Sequence, residues 1–144
     1  MKQKNYQNLT KNTLGKLPVW NLKDLYESPK AKNLNNDLNQ LRRITKKFEK
    51  KYTYKITKLS PSQLLKAIIE LENIDIKIDK IMSYAHLLVA EDGNNEKNKI
   101  FYQQMQEQIT NIASSIVFFS LELNEVSNAK LNKIYADKKL EPYK

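Results

Sequence analysis

An all-α fold is predicted by three features of this sequence. Its 144 residues include only two glycines and four prolines, so few tight turns are expected. Leu, Ile, Lys, Gln and Glu dominate, and these residues either enter helices at little cost or fill a helix's buried face. Apolar residues also recur at helical spacing through three long stretches. We therefore predict one domain, a long antiparallel helical hairpin or bundle of three long helices plus a short fourth.

The first helix is predicted to begin at Ser28-Pro29, because a serine oxygen can cap a helix and proline suits its first turn. Apolar residues then recur three, four or seven positions apart on one face: Leu34, Leu38, Leu41, Phe48 and Tyr52. The opposite face carries Lys, Arg and Asn, which indicates a half-buried helix. We expect it to end near Lys55.

The second helix has the clearest start in the chain, at Ser60-Pro61-Ser62-Gln63. This sequence places a capping serine, a proline at the first helical position and a glutamine able to bond back to the cap. An apolar stripe follows from Leu64 to near Ala90, which predicts a rod of about 45 Å. The stretch Asp92-Gly93-Asn94-Asn95 is a strong turn signal and is predicted to end it.

A third helix is predicted from apolar residues four or three apart: Phe101, Met105, Ile109, Ile112, Ile116, Phe119 and Leu123. Because its connection to the second helix is short, the two should form an antiparallel hairpin. A short fourth helix is predicted with Ser127 as its cap and with Leu131, Ile134 and Tyr135 facing inward, ending near Asp137.

Residues 1–16 are polar and lack periodicity, so they are predicted to be a disordered tail ahead of a helical domain at 17–144. The chain has no cysteine and no apolar run of the roughly 20 residues that a membrane helix needs. We expect a soluble, cytoplasmic protein with no membrane partner.

Positive charge is concentrated in the first part of the chain. Residues 1–60 carry a net charge of +11 and residues 61–144 a net charge of −2. Such asymmetry is compatible with a nucleic-acid partner, but 23 of the 25 basic residues are lysines, as expected of an AT-rich genome. Two arginines argue against a specialised reader of phosphates or bases, so nucleic acid is not the favoured partner.

Three segments carry a family resemblance. They are W-N-L-K-D-L-Y at residues 20–26, followed by Ser28-Pro29, S-Y-A-H-L-L at 83–88, and F-F-S-L-E-L-N at 118–124. Together with the helical pattern, they make residues 17–144 resemble the N-terminal region of oligoendopeptidase F, a zinc metallopeptidase of the thimet-oligopeptidase-like family. The resemblance implies a helical region that forms part of the wall around a peptide-sized channel.

The same resemblance implies, for an intact enzyme, hydrolysis of short peptides by a zinc ion held in an H-E-x-x-H motif. This chain has one histidine and no such motif, so no catalytic, cofactor-binding or metal-binding residue is predicted in it. Zinc is implied for the intact family enzyme only. We expect a chain truncated before the catalytic domain, with that missing catalytic portion as its partner.

Two polar candidates are interpreted as structural. His86 borders the apolar seam of the second helix and lacks the further ligands that zinc requires. Glu72, Asp75 and Asp79 lie three and four residues apart on one helix face, but lysines interleave with them and no desolvation is expected. We interpret the three carboxylates as a solvated face.

The aromatic leader is interpreted as an anchor. Trp20, Leu25 and Tyr26 could form a ligand-stacking platform, but large aromatic side chains more often tie a segment to the core. The tyrosines of the chain interleave with lysine, as in a single-strand binding surface. They are dispersed along several helices, however, so most are expected at the edge of the core with their hydroxyls in water.

The stretch Ser114 to Asn124 is almost continuously apolar, which indicates a helix covered on several sides. We predict that Phe118 or Phe119 lies in an exposed apolar patch, and that Phe118, Phe119 and Leu121 contact the missing catalytic portion. Two alternatives remain open: a piece that reconstitutes a split peptidase, and a stand-alone helical protein-interaction or basic nucleic-acid-binding module.

Overall fold

The computed structural model describes residues 21–136, together with Lys138 and Tyr143. The described residues form five α-helices: α1 (Lys32–Tyr52), α2 (Pro61–Glu91), α3 (Glu96–Ala113), α4 (Val117–Asn124) and α5 (Asn128–Tyr135). Short 3-10 turns lie at Leu22–Asp24, Ile56–Lys58 and Ser114–Ile116, and this part of the chain contains no strand. The predicted all-α class is confirmed. The predicted tail at 1–16 and Trp20 lie outside the described residues.

Helix α1 begins later than its sequence predicts. Ser28 does not cap the helix; its carbonyl oxygen accepts a hydrogen bond from Ala31 N at 3.0 Å, which closes a turn. Ala31 is the N-cap and provides no side-chain hydrogen bond. The predicted start at Ser28-Pro29 is wrong because proline at the second position favours such a turn as well as a first helical turn.

Helix α2 begins where the sequence predicts. Gln63 N donates to Ser60 Oγ at 3.4 Å, and Ser60 N donates to Gln63 Oε1 at 2.9 Å, which forms a complete capping box. The helix runs for 31 residues and is the longest in the described part of the chain. Its buried residues lie against both α1 and α3, so α2 is the central element of the fold.

The predicted break between the second and third helices is confirmed. Asn95 caps α3, its Oδ1 accepting from Lys97 N at 3.1 Å and Asn98 N at 3.4 Å. Asn98 Nδ2 then donates to Leu88 O at 2.9 Å and ties the start of α3 to the end of α2. Helices α2 and α3 therefore form an antiparallel hairpin.

The third predicted helix is divided in two. Helix α3 ends at Ala113, the Ser114–Ile116 turn follows, and the chain resumes as α4. The Ser114 hydroxyl donates to Asn111 O at 2.8 Å, a local bond that competes with the helical ladder. Ser127 precedes α5 as predicted, but its side chain makes no capping hydrogen bond. Ile134 is buried as predicted, whereas Tyr135, predicted to face inward, is exposed.

The core is one continuous apolar cluster to which all five helices contribute. Phe48 of α1 is at its centre near α4, with ring centroids 4.8 Å from Tyr52 and 5.7 Å from Phe119. Helix α1 packs against the hairpin and the Ser114–Ile116 turn, and Phe48 near its end reaches the phenyl rings of α4. The end of α1 and the residues after it therefore contribute to what α4 exposes.

Candidate docking surface

The leader segment is fixed to the bundle by Tyr26. Its side chain is 1% exposed, its hydroxyl donates to Asp37 Oδ2 at 2.8 Å, and its ring meets Tyr84 edge-on at 5.2 Å. Leu25 is half-buried against the same core. These contacts join the segment before α1 to both α1 and α2.

A lysine completes this junction. Lys80 Nζ donates to Asp37 Oδ2 at 3.1 Å and lies 4.5 Å from the Tyr26 ring centroid. Burial and the hydrogen bond to Asp37 raise the pKa of Tyr26 well above its usual value. For Asp37, partial burial opposes ionisation, but the bonds from Tyr26 and Lys80 outweigh it and lower the pKa of the carboxyl. Every group at this junction has a partner, as expected of a structural site.

Helix α4 turns its two phenyl rings toward α1. Phe119 is 4% exposed and Phe118 is half-buried, with its ring centroid 5.9 Å from that of Phe48. The apolar side chains that α4 exposes are Val117 (54%) and Leu121 (61%), four residues apart and hence on one face. Neither of the two rings predicted as alternatives for an exposed patch is fully exposed: Phe119 is buried against Phe48, and Phe118 is half-buried. Val117 and Leu121 form the exposed face instead.

Beside α4, the chain makes a turn that its sequence does not predict. Thr53 has φ −52° and ψ 131°, Tyr54 has φ 62°, and Lys55 N donates to Tyr52 O at 3.0 Å. These values define a type II turn with Tyr54 at the position that normally requires glycine or asparagine. The Tyr54 side chain is 84% exposed, contrary to the expected core-edge position, so no burial offsets the unfavourable backbone.

Glu122 of α4 holds this turn in place. Its carboxylate accepts hydrogen bonds from Tyr54 N at 2.5 Å and Ile56 N at 3.1 Å. Lys130 of α5 donates from Nζ to Thr57 O in the next residues of the same connection. The sequence signals this contact only by placing the carboxylate of Glu122 within an apolar run. It does not indicate which backbone groups Glu122 binds.

The acidic row on α2 remains exposed but is not fully solvated. Partial desolvation, followed by the charges of Asp79 and Glu72, raises the pKa of Asp75. This corrects the expectation that nothing desolvates the row. Glu72 also accepts a hydrogen bond from the Tyr143 hydroxyl at 2.9 Å. No lysine lies within ion-pair distance of these three carboxylates among residues 21–136.

The described residues do not fit a catalytic zinc site. His86 is exposed on α2, and its ring centroid lies 6.1 Å from that of Tyr102. In residues 21–136 no three His, Cys, Asp or Glu side chains come together in a way that could hold a metal ion.

The helices of the described residues contribute to one continuous apolar core. Within the described range, none of them combines the length and the apolar character required to cross a bilayer. The chain matches no protein-family model, no curated protein and no solved structure.

Proposed function

We propose that this chain is the non-catalytic N-terminal helical portion of an oligoendopeptidase F-like zinc metallopeptidase. In this proposal it forms part of the wall of a peptide-sized channel in the cytoplasm, and the zinc ion and the residues that cleave short peptides belong to a catalytic portion against which it packs. The three sequence segments that resemble the family support this assignment, and the long α2–α3 hairpin is compatible with it.

The exposure of apolar side chains on α4 indicates which surface makes this contact. Val117 and Leu121 lie side by side on the exposed face of α4; Leu121 belongs to the F-F-S-L-E-L-N segment that resembles the family, and Val117 directly precedes it. Phe118 borders them and is half-buried. Apolar side chains exposed in this way gain free energy when a partner covers them, at about 25 cal/mol for each Å² removed from water. We assign this face to the contact with the catalytic portion.

Reconstitution tests the assignment. The purified chain is mixed with the catalytic portion of an oligoendopeptidase F-like enzyme from which the N-terminal helical region has been removed. We expect the two to co-elute and to cleave a quenched fluorescent peptide in a chelator-sensitive manner, whereas neither cleaves it alone. Absence of a complex at micromolar concentrations contradicts the proposal.

Two charge-inserting variants locate the contact. Leu121→Glu should weaken the complex at least about tenfold, because it places a carboxylate in an apolar interface. Ile100→Glu is the matched control, since Ile100 is 54% exposed but lies on α3. Equal weakening by both variants would show that α4 is not the docking surface.

A further inference from the structure

The exposed face of α1 carries a row of cations. Arg43, Lys46, Lys47 and Lys50, here called the basic strip, are spaced i, i+3, i+4 and i+7 and therefore lie on one side of the helix. All four side chains are exposed. The strip extends along roughly 10 Å of the helix axis. It is the most concentrated positive surface on α1.

Glu49 is the acidic residue nearest to the basic strip in sequence, three residues after Lys46, and it is half-buried. In the described part of the chain, ion pairs form at Lys51–Glu70, Lys80–Asp37 and Lys99–Glu96, and none includes a residue of the strip. A surface helix that only needs solubility usually interleaves acidic and basic residues, which then pair at three- or four-residue spacing. The strip instead presents positive potential to whatever approaches it.

Tyr54 lies just beyond the end of the strip. The turn that displays it follows α1 directly, four residues after Lys50, and exposed Lys55 and Lys58 continue the positive charge past it. Lys55 Nζ donates to Lys51 O at 3.0 Å, which keeps one of these cations at the C-terminus of α1. An 84% exposed aromatic ring is thus surrounded in sequence by cations.

The backbone of Tyr54 makes this placement notable. A left-handed conformation is unfavourable for a residue with a Cβ, and Tyr54 recovers none of this cost by burial. Backbone strain of this kind is found preferentially at functional sites. Two backbone hydrogen bonds to Glu122, from Tyr54 N and Ile56 N, fix the position of the backbone that carries the ring.

We propose that the basic strip and Tyr54 form a binding site for single-stranded nucleic acid, separate from the α4 face and independent of the peptidase assignment. The cations of the strip contact successive phosphates, and the Tyr54 ring stacks on one base. Lysine suffices for such a site because stacking and phosphate contacts tolerate any sequence, so the small number of arginines is no obstacle.

Fluorescence anisotropy with a fluorescein-labelled oligo-dT of about 12 nucleotides tests the site, since single-strand binders commonly cover 4–16 nucleotides. We expect binding at about 50 mM salt, with a log–log salt slope of about −3 for four phosphate contacts. Tyr54→Ala should weaken binding about five- to tenfold, and Tyr54→Phe should retain it. Tyr135→Ala is the control, because Tyr135 is also exposed but lies on α5.

A second pair of variants separates the strip from general positive charge. Lys47→Gln with Lys50→Gln removes two of the four phosphate contacts and should reduce the magnitude of the salt slope by about 1.4, whereas Lys97→Gln with Lys99→Gln on α3 should leave it unchanged. Absence of binding at low salt, or equal effects of the two pairs, overturns the proposal. Binding of poly-L-glutamate as tight as that of oligo-dT, with the same loss in Tyr54→Ala, also overturns it, since the ligand would then be an acidic polypeptide.

Discussion

Two tyrosines in this bundle have opposite surroundings. Tyr26 is 1% exposed and packs against Tyr84, with its hydroxyl bonded to Asp37, while Tyr54 is 84% exposed on a left-handed turn. For Tyr26, local sequence, packing and hydrogen bonding all favour the observed position. For Tyr54, the backbone is unfavourable and no packing compensates. The comparison separates a residue that the fold requires from one that the fold merely tolerates.

The largest loss of stability is expected when the contacts of Tyr26 with the bundle are removed. Tyr26→Ala removes a fully buried ring and should lower the free energy of unfolding by about 3–5 kcal/mol. Urea denaturation followed by far-UV circular dichroism measures it. Tyr54→Ala, which removes a ring that is 84% exposed, is the reference and should change stability by less than about 0.5 kcal/mol. If Tyr26→Ala were equally mild, the leader would not be anchored by this ring.

A smaller loss is expected when the support of the Tyr54 turn is removed. Glu122→Ala leaves Tyr54 N and Ile56 N without their carboxylate acceptor and should lower the free energy of unfolding by about 2 kcal/mol. Glu125→Ala, at an exposed position of the segment after α4, provides the matched control. A Glu122→Ala protein as stable as the Glu125→Ala protein would show that the turn does not depend on this contact.

The smallest stability effect depends on pH. The folded-state pKa of Asp37 is lowered, so its carboxylate contributes stability above its unfolded pKa of about 3.9, and this contribution is lost as the pH falls through the lower folded value. Wild type should therefore be more stable than Asp37→Asn at pH 6, and the two should converge toward pH 2. Parallel urea titrations over this range measure the difference. A gap that stays constant would mean that the bonds from Tyr26 and Lys80 do not depend on the charge of Asp37.

The sequence predicted the fold correctly where a short motif is compatible with only one local structure. Ser60-Pro61-Ser62-Gln63 forms the predicted capping box, and Asp92 to Asn95 ends α2 as predicted. Ser28-Pro29 has two meanings, a helix start or a turn, and the turn is formed. The break at Ser114 had no glycine or proline to mark it, and the apolar period continues across it.

The candidate surfaces were less predictable because they depend on tertiary contacts. The apolar run at α4 does not show which of its side chains are covered; the position of Phe48 is what leaves Phe119 buried while Leu121 is exposed. The Tyr54 turn lacks the glycine that would have announced it. Its conformation follows from Glu122, 68 residues away in the sequence.

The central claim is that Tyr54 does not stabilise the fold but contributes to ligand binding. The Tyr54→Gly variant tests it most directly. Two quantities are measured on the same protein: the free energy of unfolding in urea, and the affinity for oligo-dT. We predict that the free energy of unfolding rises by about 0.5–1 kcal/mol, because glycine relieves the left-handed strain. We also predict that the affinity for oligo-dT falls about five- to tenfold, because the ring is lost. A variant that is less stable than wild type, or that binds oligo-dT equally well, would contradict the account.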